Sequence, residues 1–393
     1  MALLPSKISL NSGILVLAGS MLLMLVLGSV HAFSIFLTSI ESEFNASRSN
    51  ASLTYSLALA VLTIHVLISD RIFRHLSPGL LIVIVTSLAT TGALMAGYGG
   101  NLYTIWLGYG VLFGAANGLG YSFVLQFSAQ ANPRFSGTAM GLVTAAYGFG
   151  AAISPLPFET LVQSFGFRGG MIGLAVALVI VGPVVGVLFA RSGFSLSTDS
   201  GTDLDQARPV RGVIIRLWFS YGTAVAAGLM AIGHATGIAN SSGLSREWLF
   251  MAPTLIAVGN IGGSYFGGYI VDKWGARRLL RLVNCFSAMS LTLMWIFLSP
   301  ATALVGLAIV GFTYGATIAA FPVAIAKLFG AVAGIRVYGK VFTAWGTAGL
   351  FAPWIAGLLY ERSGDYSTAL LLAAILAVLS AISIFWFPRQ QRA

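Results

Sequence analysis

Gly267-Gly268-Tyr269-Ile270-Val271-Asp272-Lys273-Trp274-Gly275-Ala276-Arg277-Arg278 is the stretch from which the architecture of this chain can be read. Before it runs an apolar segment, 248–271, without one Asp, Glu, Lys or Arg, and after it another such segment extends over 282–326. An acid followed by clustered bases between two charge-free runs is the pattern of a short loop at the edge of a bilayer. The acid and its bases have a counterpart 202 residues earlier, in Ser69-Asp70-Arg71-Ile72-Phe73-Arg74, which closes the charge-free run 49–69.

That offset recurs. Arg134 matches Arg336, Gly137 matches Gly339 and Glu159 matches Glu361 at 202 residues; Gly110 and Gly114 match Gly311 and Gly315 at 201, and His31 matches His234 at 203. One interval repeated along the chain indicates a duplicated unit. The charge-free runs are 13–40, 49–69, 76–133, 135–158 and 169–190 in the first half, and 217–245, 248–271, 282–326, 341–360 and 366–388 in the second. A spanning helix needs about 20 apolar residues. The third run of each half is long enough for two, and each has a break, at Gly97-Tyr98-Gly99-Gly100-Asn101 and at Ser299-Pro300. The expectation is an all-α membrane protein of twelve transmembrane helices in two pseudo-symmetric halves of six. The N-terminal bundle is 1–190, a polar cytoplasmic linker 191–212 carries Asp199, Asp203, Asp205 and Pro209, and the C-terminal bundle is 213–393.

Composition agrees with this. Of 393 residues, 57% are hydrophobic and 8% charged, and the mean hydropathy is +0.90. A soluble domain carries roughly a quarter charged residues, so most of this surface faces lipid. The net charge of +10 does not indicate nucleic acid, because the bases fall in short clusters between apolar runs. With a cytoplasmic N-terminus, the outer loops hold Arg48, Arg168, Arg246 and Arg362, and the other 17 of the 21 Lys and Arg, from Lys7 to Arg392, are inside. That excess predicts a multi-pass inner-membrane protein with both termini cytoplasmic. Lys7 and the long run after it read as an uncleaved first span. The single cysteine, Cys285, excludes a disulfide framework, and no metal-ligand spacing occurs. The Gly118-Leu119-Gly120 and Gly148-Phe149-Gly150 pairs follow no strand, so no dinucleotide cofactor is expected. The chain is expected to act as a monomer in the lipid bilayer on a small-molecule substrate.

Two parallel six-helix repeats are the plan of many transporters, whose site lies near the midplane. The spans offer neutral polar groups there. His31 and His234 occupy matching positions in the first helix of each half; an imidazole can relay a proton or hydrogen-bond a carboxylate, or merely fasten a neighbouring helix. If transport is proton-coupled, these two are the candidate carriers. Asn117 and Tyr121 in helix four, Tyr147 in helix five, Asn260 and Ser264 in helix eight and Trp345 in helix eleven are the other substrate-binding candidates, since buried amides and hydroxyls in lipid either glue helices or line a wet cavity. His65 reads as structural and Glu159 as interfacial. Gly110/Gly114/Gly118 and Gly259/Gly263/Gly267 have the four-residue spacing that lets helix backbones meet, for sliding or for static packing.

From Gly268 to Arg278 the chain resembles the cytoplasmic loop signature of the major facilitator superfamily, G-x-x-x-D-(R/K)-x-G-x-(R/K)-(R/K). Ser69 to Arg74 is a copy without the glycines, and Gly137 to Pro155 is similar to the family's glycine-rich helix-five signature. Within the family, His31-Ala32-Phe33-Ser34-Ile35-Phe36, Gly110 to Tyr121, Ser164-Phe165-Gly166-Phe167-Arg168 and Phe342 to Gly349 resemble the oxalate/formate antiporter and monocarboxylate transporter branch. The resemblance implies a secondary transporter, symporter or antiporter, working by alternating access on a small organic solute, with a monocarboxylate as the leading class. Where the branch carries an anion-holding Arg in helix eight and, in the antiporters, a Lys in helix eleven, this chain has Ser264 and Trp345. A dianion such as oxalate is therefore expected to bind poorly, and a neutral or aromatic compound is the alternative substrate. A membrane-embedded enzyme is the alternative of another class, but no HExxH, paired intramembrane carboxylates or nucleophile–base pattern occurs. The resemblance also assigns Asp70, Arg71, Asp272, Lys273 and Arg277 to a cytoplasmic gate that locks the outward-open state. Asp272→Asn is then expected to shift the population towards inward-open and to reduce transport, read by cysteine accessibility from the two sides; unchanged labelling on both faces would remove the gate.

Overall fold

The computed structural model describes residues 10–46, 48–73, 75–195, 211–249 and 251–386. Lys7, Arg74, Arg208, Arg389, Arg392 and the 196–210 part of the expected linker lie outside the described residues, among which every regular element is helical. These residues form two compact units, one drawn from Met1–Ala139 and Ala146–Asp199, the other from Met140–Ala145 and Ser200–Ala393.

In the first unit, α1 (Leu10–Leu27) tightens into a 3-10 segment, Gly28–Phe36, before α2 (Leu37–Phe44) completes the first span. A long 3-10 stretch inside a helix marks local strain or a functional hinge. Gly28 sits at its start because the Tyr147 carbonyl occupies the place where a Cβ would be. Then follow α3 (Arg48–Phe73) and α4 (Pro78–Tyr98), the latter opened by Pro78 and by Ser77, whose hydroxyl accepts from the Leu80 N–H at 3.4 Å. The Gly99-Gly100-Asn101 break separates α4 from α5 (Leu102–Ile105), and the Asn101 side chain caps α5 by accepting from Thr104 N–H at 3.1 Å. The fourth span continues as a π-helical segment, Trp106–Phe113, and α6 (Gly114–Ala131). α7 (Ser136–Ile153) and the first arm of α8 (Pro155–Ser192) make the fifth span; Gly166, at φ 67°, breaks α8, and the arm beyond it is the sixth. The Glu43 carboxylate, at the end of the first span, accepts the Phe167 N–H just after this break at 2.7 Å.

In the second unit, α9 (Arg211–Gly233) stops at His234 and α10 (Ala235–Ser241) resumes beyond it. α11 (Met251–Trp274) is separated from α12 (Ala276–Ile296) by Gly275, at φ 84°, a conformation open to glycine. Ser299 and Thr302 form a capping box at the start of α13 (Pro300–Phe329), which α14 (Ala331–Ser363) and α15 (Ser367–Ser383) follow. Eight described stretches can cross a membrane by length and apolar composition alone. The count reaches twelve because 133–192 contains two spans joined at Gly166, the fourth span is divided by its π segment, α11 is interrupted by polar residues and α15 has 17 residues.

The glycine series prove to be packing surfaces at matching places. A Cβ on Gly114 or Gly118 would meet the backbone of Ala58 or Leu62 in α3, and one on Gly263 or Gly267 would meet Phe312 or Ala316 in α13. Gly311 and Gly315 return the contact against Ile256 and Asn260. Second and fourth spans thus meet backbone to backbone in each unit, which accounts for the repeat of Gly110 and Gly114 as Gly311 and Gly315. Without a hydrophobic drive in lipid, such close approach supplies the dispersion energy of association. Gly263→Val is expected to destabilise the protein by about 1–3 kcal/mol, as overpacking does, and to lower its melting temperature in detergent. Gly186→Ala, where nothing lies within 4 Å, should leave the melting temperature unchanged or slightly raised.

Candidate functional site

In the first unit the change of winding at Gly28 presents His31 to the second and fifth spans. Its Nδ1 lies 2.7 Å from the Tyr55 hydroxyl of α3, and its ring meets the Tyr147 ring of α7 edge-on, centroids 5.4 Å apart. The Tyr147 hydroxyl donates to Asn117 Oδ1 at 2.8 Å, and Asn117 Nδ2 donates to the Leu27 carbonyl at 2.6 Å. Leu27 is the last α-helical residue before the 3-10 segment, so the amide of the fourth span holds the backbone where the winding changes. The Tyr121 ring packs against Tyr147 at 5.4 Å. Four sequence candidates, His31, Asn117, Tyr121 and Tyr147, are therefore one cluster. Around it lie Phe33, whose ring stacks on Tyr55 with 9° between planes, and Tyr109, 5.0 Å from Phe33. Tyr55 and Tyr109 were not among the candidates. Neither falls in a motif or repeats in the other half, and only the fold brings them to His31.

The second unit uses its histidine differently. His234 Nε2 is 2.8 Å from the Pro353 carbonyl in α14, and Nδ1 is 3.2 Å from the Tyr366 hydroxyl. A carbonyl can only accept, so Nε2 carries the proton, and Nδ1 of the neutral ring accepts from the tyrosine. His234 joins the break between α9 and α10 to α14 and to the start of α15. Asn260 and Ser264 lie on the glycine-packed face of α11: a Cβ on Gly315 would meet the Asn260 backbone and side chain, and Ser264 Oγ donates to the Gly315 carbonyl at 3.3 Å. Trp345 stacks on Phe342 (5.1 Å, 14° between planes) and donates through Nε1 to the Tyr314 hydroxyl at 2.8 Å. His65 Nδ1 lies 2.8 Å from the Val61 carbonyl of its own helix, and Glu159 is exposed beside Gln163, which donates to it at 3.3 Å.

Of the loop residues, Asp272 faces Lys327 of α13, with 3.6 Å between Oδ1 and Nζ, and Lys327 also donates to the Val271 carbonyl at 3.4 Å. Packing of α11 against α13 brings Lys327 to Asp272. Lys273 lies over the Tyr269 ring at 5.1 Å, and Arg277 donates to the Phe385 carbonyl at 2.8 Å. In the first unit Asp70 is buried, beside a Ser69–Ser122 hydroxyl pair at 2.8 Å, while Arg71 is exposed.

Comparison with known proteins places this arrangement. The sequence profile of the Major Facilitator Superfamily matches residues 15–335 and, overlapping them, 212–393, and the chain belongs to that family. It is thus a multi-pass membrane transporter and not an enzyme. The MFS-type transporter YhjX of Escherichia coli (strain K12) is 25% identical over 343 residues, 84% of each chain. The oxalate:formate antiporter of Oxalobacter formigenes is 26% identical over 301 residues, 72% of this chain and 69% of that one. Monocarboxylate transporter 12 of Homo sapiens is 21% identical over 408 residues, 94% of this chain and 79% of that one. Among solved structures, the transporter FucP in the outward conformation superposes with a TM-score of 0.75 at 15% identity, covering 96% of this chain and 100% of that one, a likeness of fold.

Replacing His234 removes its bonds to the Pro353 carbonyl and to the Tyr366 hydroxyl. His234→Leu is expected to lower stability by about 1–3 kcal/mol, the scale for a buried polar group left unpaired, seen as a lower melting temperature of purified protein. Tyr147→Phe should do the same through Asn117 Oδ1.

Proposed function

We propose that the chain is a secondary active transporter that moves a small monocarboxylate by alternating access, with a proton as the coupling ion and His31 as its carrier. In this reading the halves 1–190 and 213–393, tied by the 191–212 linker, alternate about a central site in an inner membrane. Both termini are cytoplasmic, following the basic loops, and the working unit is one chain. The observation that carries the reading is the His31–Tyr55–Tyr147–Asn117 cluster at the broken first span. It offers an imidazole and hydroxyls to a carboxylate, whereas the described Lys and Arg lie towards helix ends, the deepest being Lys340, nine residues beyond the start of α14. Two negative charges entering such a site would lose hydration with no cation to offset it, while one charge is within reach of an imidazolium and hydrogen bonds. The names of two relatives, an oxalate:formate antiporter and a monocarboxylate transporter, support the substrate class. The aromatic surround of His31, made of Phe33, Tyr55, Tyr109 and Tyr147, favours a second reading in which the solute is a neutral aromatic compound. Asp272, with Lys327 added to the gate residues, then closes the cytoplasmic end.

Purified protein screened by thermal shift against formate, acetate, propionate, benzoate, oxalate and benzamide separates these readings. Stabilisation by the monocarboxylates and none by oxalate is expected. Tight oxalate binding overturns the charge argument, and benzamide binding without acetate or propionate binding selects the second reading. In vesicles, His31→Gln is expected to flatten the pH dependence of monocarboxylate uptake. His234→Gln should keep the wild-type profile. A wild-type profile in both assigns coupling elsewhere.

A further inference from the structure

A polar crevice enters the second unit between α9, α12 and α13, lined by Gly228, Asn284, Ser287, Thr313, Tyr314 and Thr317 among others. It lies near mid-span. Asn284 is eight residues from the start of α12, about 12 Å along the axis at 1.5 Å per residue, and Thr313 and Thr317 fall in the middle of α13. Asn284 is 2% exposed and its Nδ2 has no hydrogen-bond partner among the described residues. The two threonine hydroxyls are turned to backbone carbonyls: Thr313 Oγ1 donates to Val310 at 3.1 Å and Thr317 Oγ1 to Thr313 at 2.7 Å. Among the described residues, no charged side chain lines the crevice. A buried amide without a partner, at bilayer depth, is unfavourable enough to call for a reason. An amide N–H only donates, so what completes the site must be an acceptor.

We propose that this crevice is the subsite for the carboxylate end of the solute, with Asn284 Nδ2 and Ser287 Oγ as the donors. The inference rests on the monocarboxylate reading above and names the groups that stand in the second unit in place of an anion-holding cation. In this structure the crevice is too narrow to admit a water molecule, so binding opens a wall. Tyr314 is that wall. Its ring lies over Gly228, where a Cβ would come within 2.9 Å of Cδ2, and its hydroxyl accepts from Trp345 Nε1 at 2.8 Å. The Trp345–Tyr314 pair thereby sets how far the crevice is closed, which gives Trp345 a positioning role. Two neutral donors bind one carboxylate oxygen each without requiring a second charge, which matches selection for a monoanion.

The test uses the full chain in detergent and the near-isosteric pair propionate and propionamide, with affinities from titration of the thermal shift. The wild type is expected to bind propionate in preference to propionamide. Asn284→Ala should weaken propionate binding by about tenfold or more, the scale of a hydrogen bond to a charged group. Asn284→Asp should reverse the preference, because a carboxylate in the crevice repels propionate and accepts from the amide of propionamide; a merely structural role for Asn284 gives no such reversal. Ser287→Ala, a small change that spares the fold, should weaken propionate binding severalfold. Wild-type binding with unchanged affinities and preference in these variants overturns the subsite, as does an unchanged Ser287→Ala if both Asn284 variants fail to fold. Absence of binding by the wild type itself to any monocarboxylate overturns the functional reading on which the subsite rests.

Discussion

Inside a bilayer a backbone N–H or C=O has no water to turn to, and a helix that changes its winding there has to find another partner for each group it releases. The first span of each unit of this protein does change its winding, at Gly28 and at His234. Much of the surrounding structure follows from holding those two places. In the first unit the donor is Asn117, reaching across from the fourth span to the Leu27 carbonyl; in the second the His234 ring ties the break to α14 through the Pro353 carbonyl.

The two histidines illustrate the division. They occupy equivalent positions in a duplicated chain, yet the second is engaged at both ring nitrogens by α14 and the Tyr366 hydroxyl, whereas the first stands among tyrosines. Duplication supplied two similar breaks. The second unit has a proline-containing helix beside its break, α14 with Pro353, and its histidine is used there as a fastener. The first unit assigns fastening to an asparagine and leaves its histidine in a polar, aromatic setting. Pseudo-symmetry of fold does not carry over into symmetry of chemistry.

Much of this was legible before any coordinates. The charge-free runs, the 202-residue repeat and the Asp272 loop specify the membrane class and the paired halves, because bilayer thickness and the expense of burying charge act on each segment separately. The glycine spacing was legible too, though not whether it served motion or packing. What remained hidden depends on neighbours. Trp106–Phe113 reads as ordinary apolar helix, yet it is π-wound where it packs against α3 and α4. Tyr55, Tyr109 and Asn284 lie in charge-free runs where nothing in the local pattern distinguishes them. Lys327 looks like any flanking base until α13 lies against α11. The site is a property of the packing of spans, and single-span patterns report only one side of each contact.

The bond from Glu43 to the Phe167 amide joins residues 124 apart in sequence. During synthesis the first span emerges, carboxylate at its end, long before the N–H that will satisfy it exists. Until the fifth and sixth spans have entered the membrane and turned at Gly166, that charge is stable only in water or among lipid headgroups. The carboxylate therefore keeps the end of the first span at the membrane surface while the intervening helices assemble. The bond that forms later records that the hairpin closing this unit has arrived in the right orientation.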